Sequence, residues 1–235
     1  MRLLAIDVGN TRTKTALWQD DVRMEWDGGP VDMALASVTG KEPDWERLLP
    51  GVKVDRLSQD TLLPIGLDYR TPHTLGADRK AAACGAWALR KGRGCVVVDA
   101  GTCITIDYLD SEGIYRGGAI LPGIRMKFEA LNTFTAKLPL LNNYEGLTLP
   151  ANGLTGKTTE ESMTAGVVTA TKLEVGAFVA AMLKAEGGQG QEPAILLAGG
   201  DAAMLADGIR GDVAVEKDLV LIGLKEIMQN RIYEK

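Results

Sequence analysis

Three short segments carry the residue types that phosphate and hydroxyl chemistry requires. The first is Asp7-Val8-Gly9-Asn10-Thr11-Arg12-Thr13-Lys14. Its glycine lets backbone approach a phosphate, Asn10, Thr11 and Lys14 can donate to phosphate oxygens, and Asp7 can hold a hydrated divalent cation. The same letters also make an ordinary hairpin turn, since Gly and Asn both tolerate positive φ. The second segment, Asp99-Ala100-Gly101-Thr102, repeats the acid, the glycine and the hydroxyl. The third is Gly76-Ala77-Asp78-Arg79. An acid at a helix start can be a cap, worth about 0.5–2 kcal/mol. It can equally be a general base that accepts a hydroxyl proton, worth about 10²- to 10⁴-fold in rate, with Arg79 beside it for an anionic acceptor. The residues leave both readings open.

The elements that must position these groups follow from hydrophobic patterning. Leu3 to Val8 and Thr13 to Trp18 read as the arms of a hairpin, and Cys95 to Val98 with Ile104 to Leu109 read as another. Aligning Asp7 with Asp99 also aligns Gly9 with Gly101, so the chain carries one unit twice, with a boundary near Gly92 to Gly94. Two acid-tipped hairpins with glycine-hydroxyl turns suit the facing halves of an actin-like or sugar-kinase-like ATPase. The expected fold is therefore α/β: duplicated ribonuclease-H-like halves, residues 1–93 and 94–235, with a nucleotide cleft between them. Asp78 to Leu89, Thr159 to Leu183 and Lys225 to Tyr233 read as helices, with Leu219 to Leu224 an apolar lead into the last. Ala194 to Ala198 reads as a strand, followed by Gly199-Gly200-Asp201 and a helical Ala202 to Ala206. That order brings backbone close to a nucleotide.

Composition narrows the function classes. The 235 residues are 46% hydrophobic and 24% charged, which is ordinary for a soluble globular chain and unlike a disordered or membrane protein. The net charge of −5, with scattered Lys and Arg, offers no footprint for nucleic acid. The apolar run at the N-terminus is too short for a signal peptide or a membrane span. Cys84, Cys95 and Cys103 lack metal-ligand spacing and read as buried thiols of a reducing cytosol. The Trp residues read as packing groups, and His73, the single histidine, as a surface residue. Ala151-Asn-Gly-Leu-Thr-Gly-Lys-Thr158 fits a relaxed phosphate-loop pattern, but Leu141 to Pro150 makes a poor preceding strand. The other reading of that segment is a polar loop capping a helix that starts near Thr159.

Taken together, Asp7-x-Gly-Asn-Thr11, Tyr69 followed by Gly76-Ala-Asp-Arg79, Asp99-Ala-Gly-Thr102, Gly117 to Gly123, Ala136-Lys-Leu-Pro139 and Gly199-Gly-Asp201 resemble, in order and spacing, the type III pantothenate kinases. Those belong to the superfamily of acetate and sugar kinases, heat-shock ATPases and actin. The resemblance spans nearly the whole chain and is weakest over residues 20 to 65. It implies ATP-dependent phosphorylation of pantothenate to 4′-phosphopantothenate, the first step of coenzyme A biosynthesis. It implies that Asp7 to Lys14 (Asp7, Val8, Gly9, Asn10, Thr11, Arg12, Thr13, Lys14) bind the phosphates of ATP, with magnesium at Asp7, and that Thr102 contacts ATP. Asp99 would ligate a monovalent cation, potassium or ammonium. Tyr69, Gly76, Ala77, Asp78, Arg79 and Thr159 would bind pantothenate, with Asp78 the general base and Thr158 an alternative to Thr159. A cytoplasmic homodimer is implied, with more of the dimer contacts in the second half, and neither nucleic acid nor membrane is an expected partner. Two alternatives remain: a kinase of another small alcohol, and a catalytically silent regulatory relative.

Overall fold

The computed structural model describes residues 1–142, 144–186 and 191–233, with backbone alone at Glu145. The chain forms two compact units. The first comprises Met1–Val97, Asp107–Gly117 and Asp218–Lys235, and the second Val98–Ile106 and Gly118–Lys217.

The first sheet grows from β1 (Arg2–Val8), which pairs antiparallel with β2 (Thr13–Gln19), itself antiparallel to β3 (Val22–Met24). On its other side β1 pairs in parallel with β4 (Met33–Val38), and β4 with β5 (Asp55–Arg56), giving the order β3-β2-β1-β4-β5. Alternation along β1 decides what each face does. Leu4, Ile6 and Val8 join Leu17, Ala34, Ala36 and Leu49 in one cluster, against which Trp26 and Trp45 pack. Trp45 opens α1 (Trp45–Leu48), a single turn capped by Asp44. Asp7 belongs to the opposite face of β1, the side that meets two long helices, α2 (Ala77–Leu89) and the C-terminal helix (Leu219–Tyr233). These two helices pack with almost no gap: a Cβ on Gly223 would fall 1.7 Å from the carbonyl oxygen of Ala81.

The second sheet repeats the pattern. Its strands are β6 (Gly66–Leu67), β7 (Cys95–Ala100), β8 (Cys103–Leu109), β9 (Ile114–Pro122), β10 (Ala194–Ala198) and β11 (Val213–Val215), in the order β11-β10-β7-β8-β9-β6. Removing the edge strand β6 leaves β9-β8-β7-β10-β11, the order of the first sheet with each strand replaced by its counterpart. Asp7 is the penultimate residue of β1 and Asp99 the penultimate residue of β7. The duplication read from the sequence is thus a duplication of topology, that of a ribonuclease-H-like α/β fold. β7, β8 and β9 each contribute residues to both compact units.

The remaining helices are α3 (Ile124–Thr133), α4 (Thr159–Thr164), α5 (Ala170–Glu186), α6 (Ala202–Ala206) and α7, the C-terminal helix already described. The long helix expected from Thr159 exists, but the wider i→i+5 turns of a π-helix interrupt it at Ala165–Thr169. The cysteines correct one expectation, because Cys84 and Cys95 are buried while Cys103, at the start of β8, is exposed.

Candidate active site

The first turn is a cationic loop above a carboxylate. In the antiparallel register Asp7 stands opposite Lys14, and in the parallel register it lies beside Ser37 of β4, so all three project to one face. Gly9 N donates to Arg12 O at 3.1 Å and closes the loop. Asn10, Thr11, Arg12 and Thr13 are exposed, whereas the Val8 side chain is sunk in the hydrophobic cluster, so only its backbone is available to a ligand. That backbone is also clamped from below, since Val8 O accepts from Thr39 N at 2.9 Å and from Gly40 N at 3.0 Å. Any side chain at 40 would collide with the turn, a Cβ there lying 2.2 Å from Gly9 O.

Burial first and the charge of Asp78 second raise the Asp7 carboxyl to about 6, against the opposing charges of Lys14 and Arg12. A carboxylate in this state is favoured by any positive charge brought to it. Among the described residues no group of three or more His, Cys, Asp and Glu is arranged to hold a metal. A cation here would therefore be held by one or two carboxylates together with water and phosphate oxygens, which is the habit of magnesium. Ser37 is fully buried, and its hydroxyl is one of few buried polar atoms among the described residues without a hydrogen-bond partner.

Asp78 sits in the first turn of α2, after Gly76 at the cap position and Ala77. Its Oδ1 accepts from the N–H of Arg79 at 2.8 Å, so the acid steadies the helix start while remaining half-buried. Arg79, beside it, already has a counter-charge. Its side chain is buried and paired with Asp107 of β8, Nη2 donating to Oδ1 at 2.5 Å and Nε donating to both oxygens at 3.1 and 3.2 Å. The Tyr115 hydroxyl donates to the same carboxylate at 2.6 Å, and the Tyr69 ring meets Tyr115 edge-on with centroids 5.9 Å apart. Burial first, then Asp107, pushes the Tyr115 phenol well above its usual range, so it stays protonated as a donor. No spacing in the sequence tied Asp107 or Tyr115 to this site. Only the burial of a charged residue within a strand could have drawn attention to Asp107.

In the second unit, Asp99 and Thr102 bracket a tight turn in which Gly101 N donates to Cys103 O at 3.0 Å. Two glycines from distant segments press against it. A Cβ on Gly123, just before α3, would lie 2.3 Å from Thr102 O, and one on Gly199, just after β10, would lie 2.3 Å from Ala100 O. Backbone bonds run along the same approaches, Gly123 N to Thr102 O at 3.1 Å and Asp201 N to Ala100 O at 3.0 Å. Gly123 and the Gly199–Asp201 motif thus act here as supports for the Asp99 turn. Tyr144 stacks on Phe128 at 5.9 Å and donates to the buried Asp201 at 3.1 Å.

Thr158 is the N-cap of α4, its hydroxyl accepting from Glu161 N at 3.1 Å, and Thr159 is the exposed first residue of the helix. The relaxed phosphate-loop segment therefore caps a helix, and the residues just before it, 147–150, form no strand. His73 is exposed in a short 3₁₀ turn, Pro72–Thr74. The structure thus gathers Asp7, Lys14 and Asp78 in one unit, with Arg79 and Tyr69 tied together through Asp107 and Tyr115. Asp99, Thr102 and Thr159 belong to the other unit.

Solved structures place this architecture among the sugar-kinase folds. A Campylobacter jejuni protein assigned to the Baf family of transcriptional activators superimposes with a TM-score of 0.61 over 98% of this chain and 99% of its own, at 23% identity. Glucokinase from Balamuthia mandrillaris in complex with glucose gives 0.50 over 97% of this chain and 93% of its own, at 10% identity. The sequence is more specific. The type III pantothenate kinase family model matches residues 31–181, and the type III pantothenate kinase of Cytophaga hutchinsonii is 36% identical over 86% of this chain and 82% of its own length. The chain belongs to the type III pantothenate kinase family.

Proposed function

We propose that the chain transfers the γ-phosphate of ATP to the primary hydroxyl of pantothenate, and that it does so as a cytoplasmic homodimer with residues 1–93 and 94–235 as its two functional halves. The observation that carries this reading is the pairing of Asp7 with Asp78: one carboxylate beneath a cationic turn, and a second at a helix start close enough to perturb it. The first turn, Asp7 to Lys14, binds phosphate oxygens through its backbone, Asn10, Thr11, Arg12 and Lys14, and Asp7 holds magnesium. Magnesium bound with ATP orders the triphosphate and offsets charge on the transferred group. Asp78 receives the hydroxyl proton, while Tyr69, the Gly76-Ala77 backbone, Arg79 and Thr159 orient the acceptor. Thr158 is the weaker alternative to Thr159, because its hydroxyl already caps α4. Thr102 contacts ATP, and Asp99 holds potassium or ammonium, whose charge supports the transition state.

Replacing Asp78 by Asn should lower turnover by at least about 10³-fold while the protein folds and binds ATP. The assay is 4′-phosphopantothenate formation from pantothenate, ATP and magnesium, run in potassium and in sodium. Near-normal turnover by the variant would remove Asp78 from the role of base, and equal rates in the two salts would remove the cation from Asp99. Absence of product from the folded parent protein would shift the reading to another alcohol or to a regulatory relative.

The homodimer reading has its own support. The helical stretch Thr159–Glu186 is long and apolar enough to cross a membrane by composition, yet it belongs to the second unit and is partly buried, with Leu173 and Ala177 exposed along one face of α5. Leu173 is 59% exposed in the single chain. A second copy of the chain is the occupant proposed for that face. Leu173→Glu should convert the dimer to monomer in light scattering, and a dimer that persists unchanged would move the interface elsewhere.

A further inference from the structure

Reading Tyr69 and Arg79 as acceptor-binding residues leaves two buried residues of the first unit without a task. Asp107 has a side-chain exposure of 3%, and Tyr115 is fully buried. A single phenol touches both acceptor residues, directly or at one remove. Its hydroxyl donates to the carboxylate that grips Arg79, and its ring carries the edge of Tyr69 at an interplanar angle of 63°. The backbone enforces this arrangement. β6 pairs in parallel with β9 at Leu67 and Tyr115, and Asp68 N donates to Tyr115 O at 2.9 Å, so Tyr69 leaves the sheet edge beside the ring on which it packs. Arg116 fastens the same corner through Asp68 at 3.0 Å and Asp110 at 2.7 Å.

Stability alone is a poor reason to bury the Arg79–Asp107 pair, since removing two charges from water costs several kcal/mol and apolar side chains of similar volume often serve as well. What the pair supplies is orientation and charge balance. Nε and Nη2 of Arg79 are fixed by Asp107, so the guanidinium plane is set before any ligand arrives. Its charge is also met in advance. An anionic acceptor would then be selected by directional N–H groups more than by bare attraction. Arg79 directly follows Asp78, so the same anchor steadies the helix start that carries the base.

We propose that Asp107 and Tyr115 are positioning residues of the acceptor site: Asp107 orients and neutralises Arg79, while Tyr115 holds Asp107 in place and seats Tyr69. This inference rests on the acceptor-site reading given above. It distinguishes the two residues from mere core members, because a packing role would not separate acceptor binding from ATP binding.

The test uses Tyr115→Phe, which keeps the ring under Tyr69 and removes only the hydroxyl. The expected result is a rise of about five- to tenfold in KM for pantothenate, with KM for ATP and kcat within about twofold, alongside a fall of a few degrees in unfolding temperature because the buried carboxylate loses one donor. An unchanged KM for pantothenate, or an equal rise in both KM values, would overturn the proposal. A second variant, Asp107→Asn, keeps the shape and removes the counter-charge. In thermal-shift titrations it should prefer pantothenate over its neutral alcohol analogue pantothenol by at least about fivefold more than the parent does. A preference that does not grow in folded Asp107→Asn protein would overturn the neutralising role, and if that variant does not fold, Tyr115→Phe carries the test alone. Parent protein separates the two levels of inference. If the parent forms no 4′-phosphopantothenate, the acceptor reading and this proposal both fall, whereas normal parent turnover with an unaltered Tyr115→Phe profile sinks only the proposal.

Discussion

After β1 the chain takes four residues, Gly9 to Arg12, to reach β2; after β7 it takes two, Gly101 and Thr102, to reach β8. Both turns follow a strand with an acid in the penultimate place, and both sheets share one strand order. The first turn exposes three consecutive polar or charged residues after its glycine, Asn10, Thr11 and Arg12, and rests on one close glycine, Gly40. The second is pinned by Gly123 and Gly199 from opposite sides, with a backbone hydrogen bond along each approach. Duplication thus produced one adaptable loop rich in donors and one rigid platform. Freedom suits a loop that closes around a flexible ligand, whereas a fixed carbonyl and carboxylate frame suits a site of set dimensions.

The largest expected effects come from filling the close approaches. Gly199→Ala places a Cβ against Ala100 O and also forces an L-residue to φ +92, so it should cost at least about 4 kcal/mol and lower the unfolding temperature by roughly 10 °C or more. Gly40→Ala makes an equally short contact at 2.2 Å, but against a four-residue loop that can shift. It should cost about half as much in stability and lose proportionally more ATP affinity. Calorimetry of both variants, with ATP titration of the survivors, decides the matter. If Gly40→Ala is the more destabilising of the two, the first turn is not the adaptable one.

The first turn also carries a perturbed carboxylate. In nucleotide-free protein the Asp7 carboxyl, raised to about 6, holds its proton more tightly folded than unfolded, where 3.8 is the ordinary value. Its contribution to stability is therefore greatest below about pH 4, falls as pH rises towards 6, and stays low above that. Asp7→Asn removes the cost of the buried charge and the repulsion from Asp78. The variant should be more stable than the parent by about 1–2 kcal/mol at pH 7.5, after allowance for solvent screening, with the gap closing towards pH 4, while turnover is lost. Thermal unfolding at four pH values between 4 and 7.5 measures this. A gap that is constant across the range would contradict the assignment of strain to Asp7.

Much of this comparison was legible in the sequence. Both hairpins, the strand Ala194–Ala198, the short helix Ala202–Ala206 and the Asp78 helix stand where periodicity and glycine placement put them. Local signals suffice for such elements, because each alternation or turn lies within a few residues. β4 escaped notice for a tertiary reason. Met-Ala-Leu-Ala-Ser-Val favours helix by propensity, but a strand buried on both faces between two parallel neighbours needs small apolar residues and tolerates Ala. With β4 unseen, Ser37 and Gly40 could not be linked to the first turn. Asp107 and Tyr115 were hidden similarly, because the partners of Asp107 are 28 residues before it and 8 after it. The role of Gly123 and Gly199 as supports also depends on strand adjacency, which no single segment encodes.

The smallest predicted effect separates the two halves at one further position. The penultimate residue of β4 is Ser37, whereas that of its counterpart β10 is Leu197, and both are fully buried. β10 is buried hydrocarbon from end to end. β4 holds a hydroxyl beside Asp7 that satisfies no partner, a group whose burial costs about 1–3 kcal/mol when left unpaired. Ser37→Ala deletes that hydroxyl at little cost in volume, so nucleotide-free protein should unfold at the same temperature or up to about 3 °C higher. A fall equivalent to more than about 1 kcal/mol would mean that the hydroxyl is bonded in solution, and the neighbour to which the register points is the Asp7 carboxylate. In that case Ser37 would also lower the energy of the charged turn, and the contrast with the apolar β10 would mark a polar support specific to the first turn.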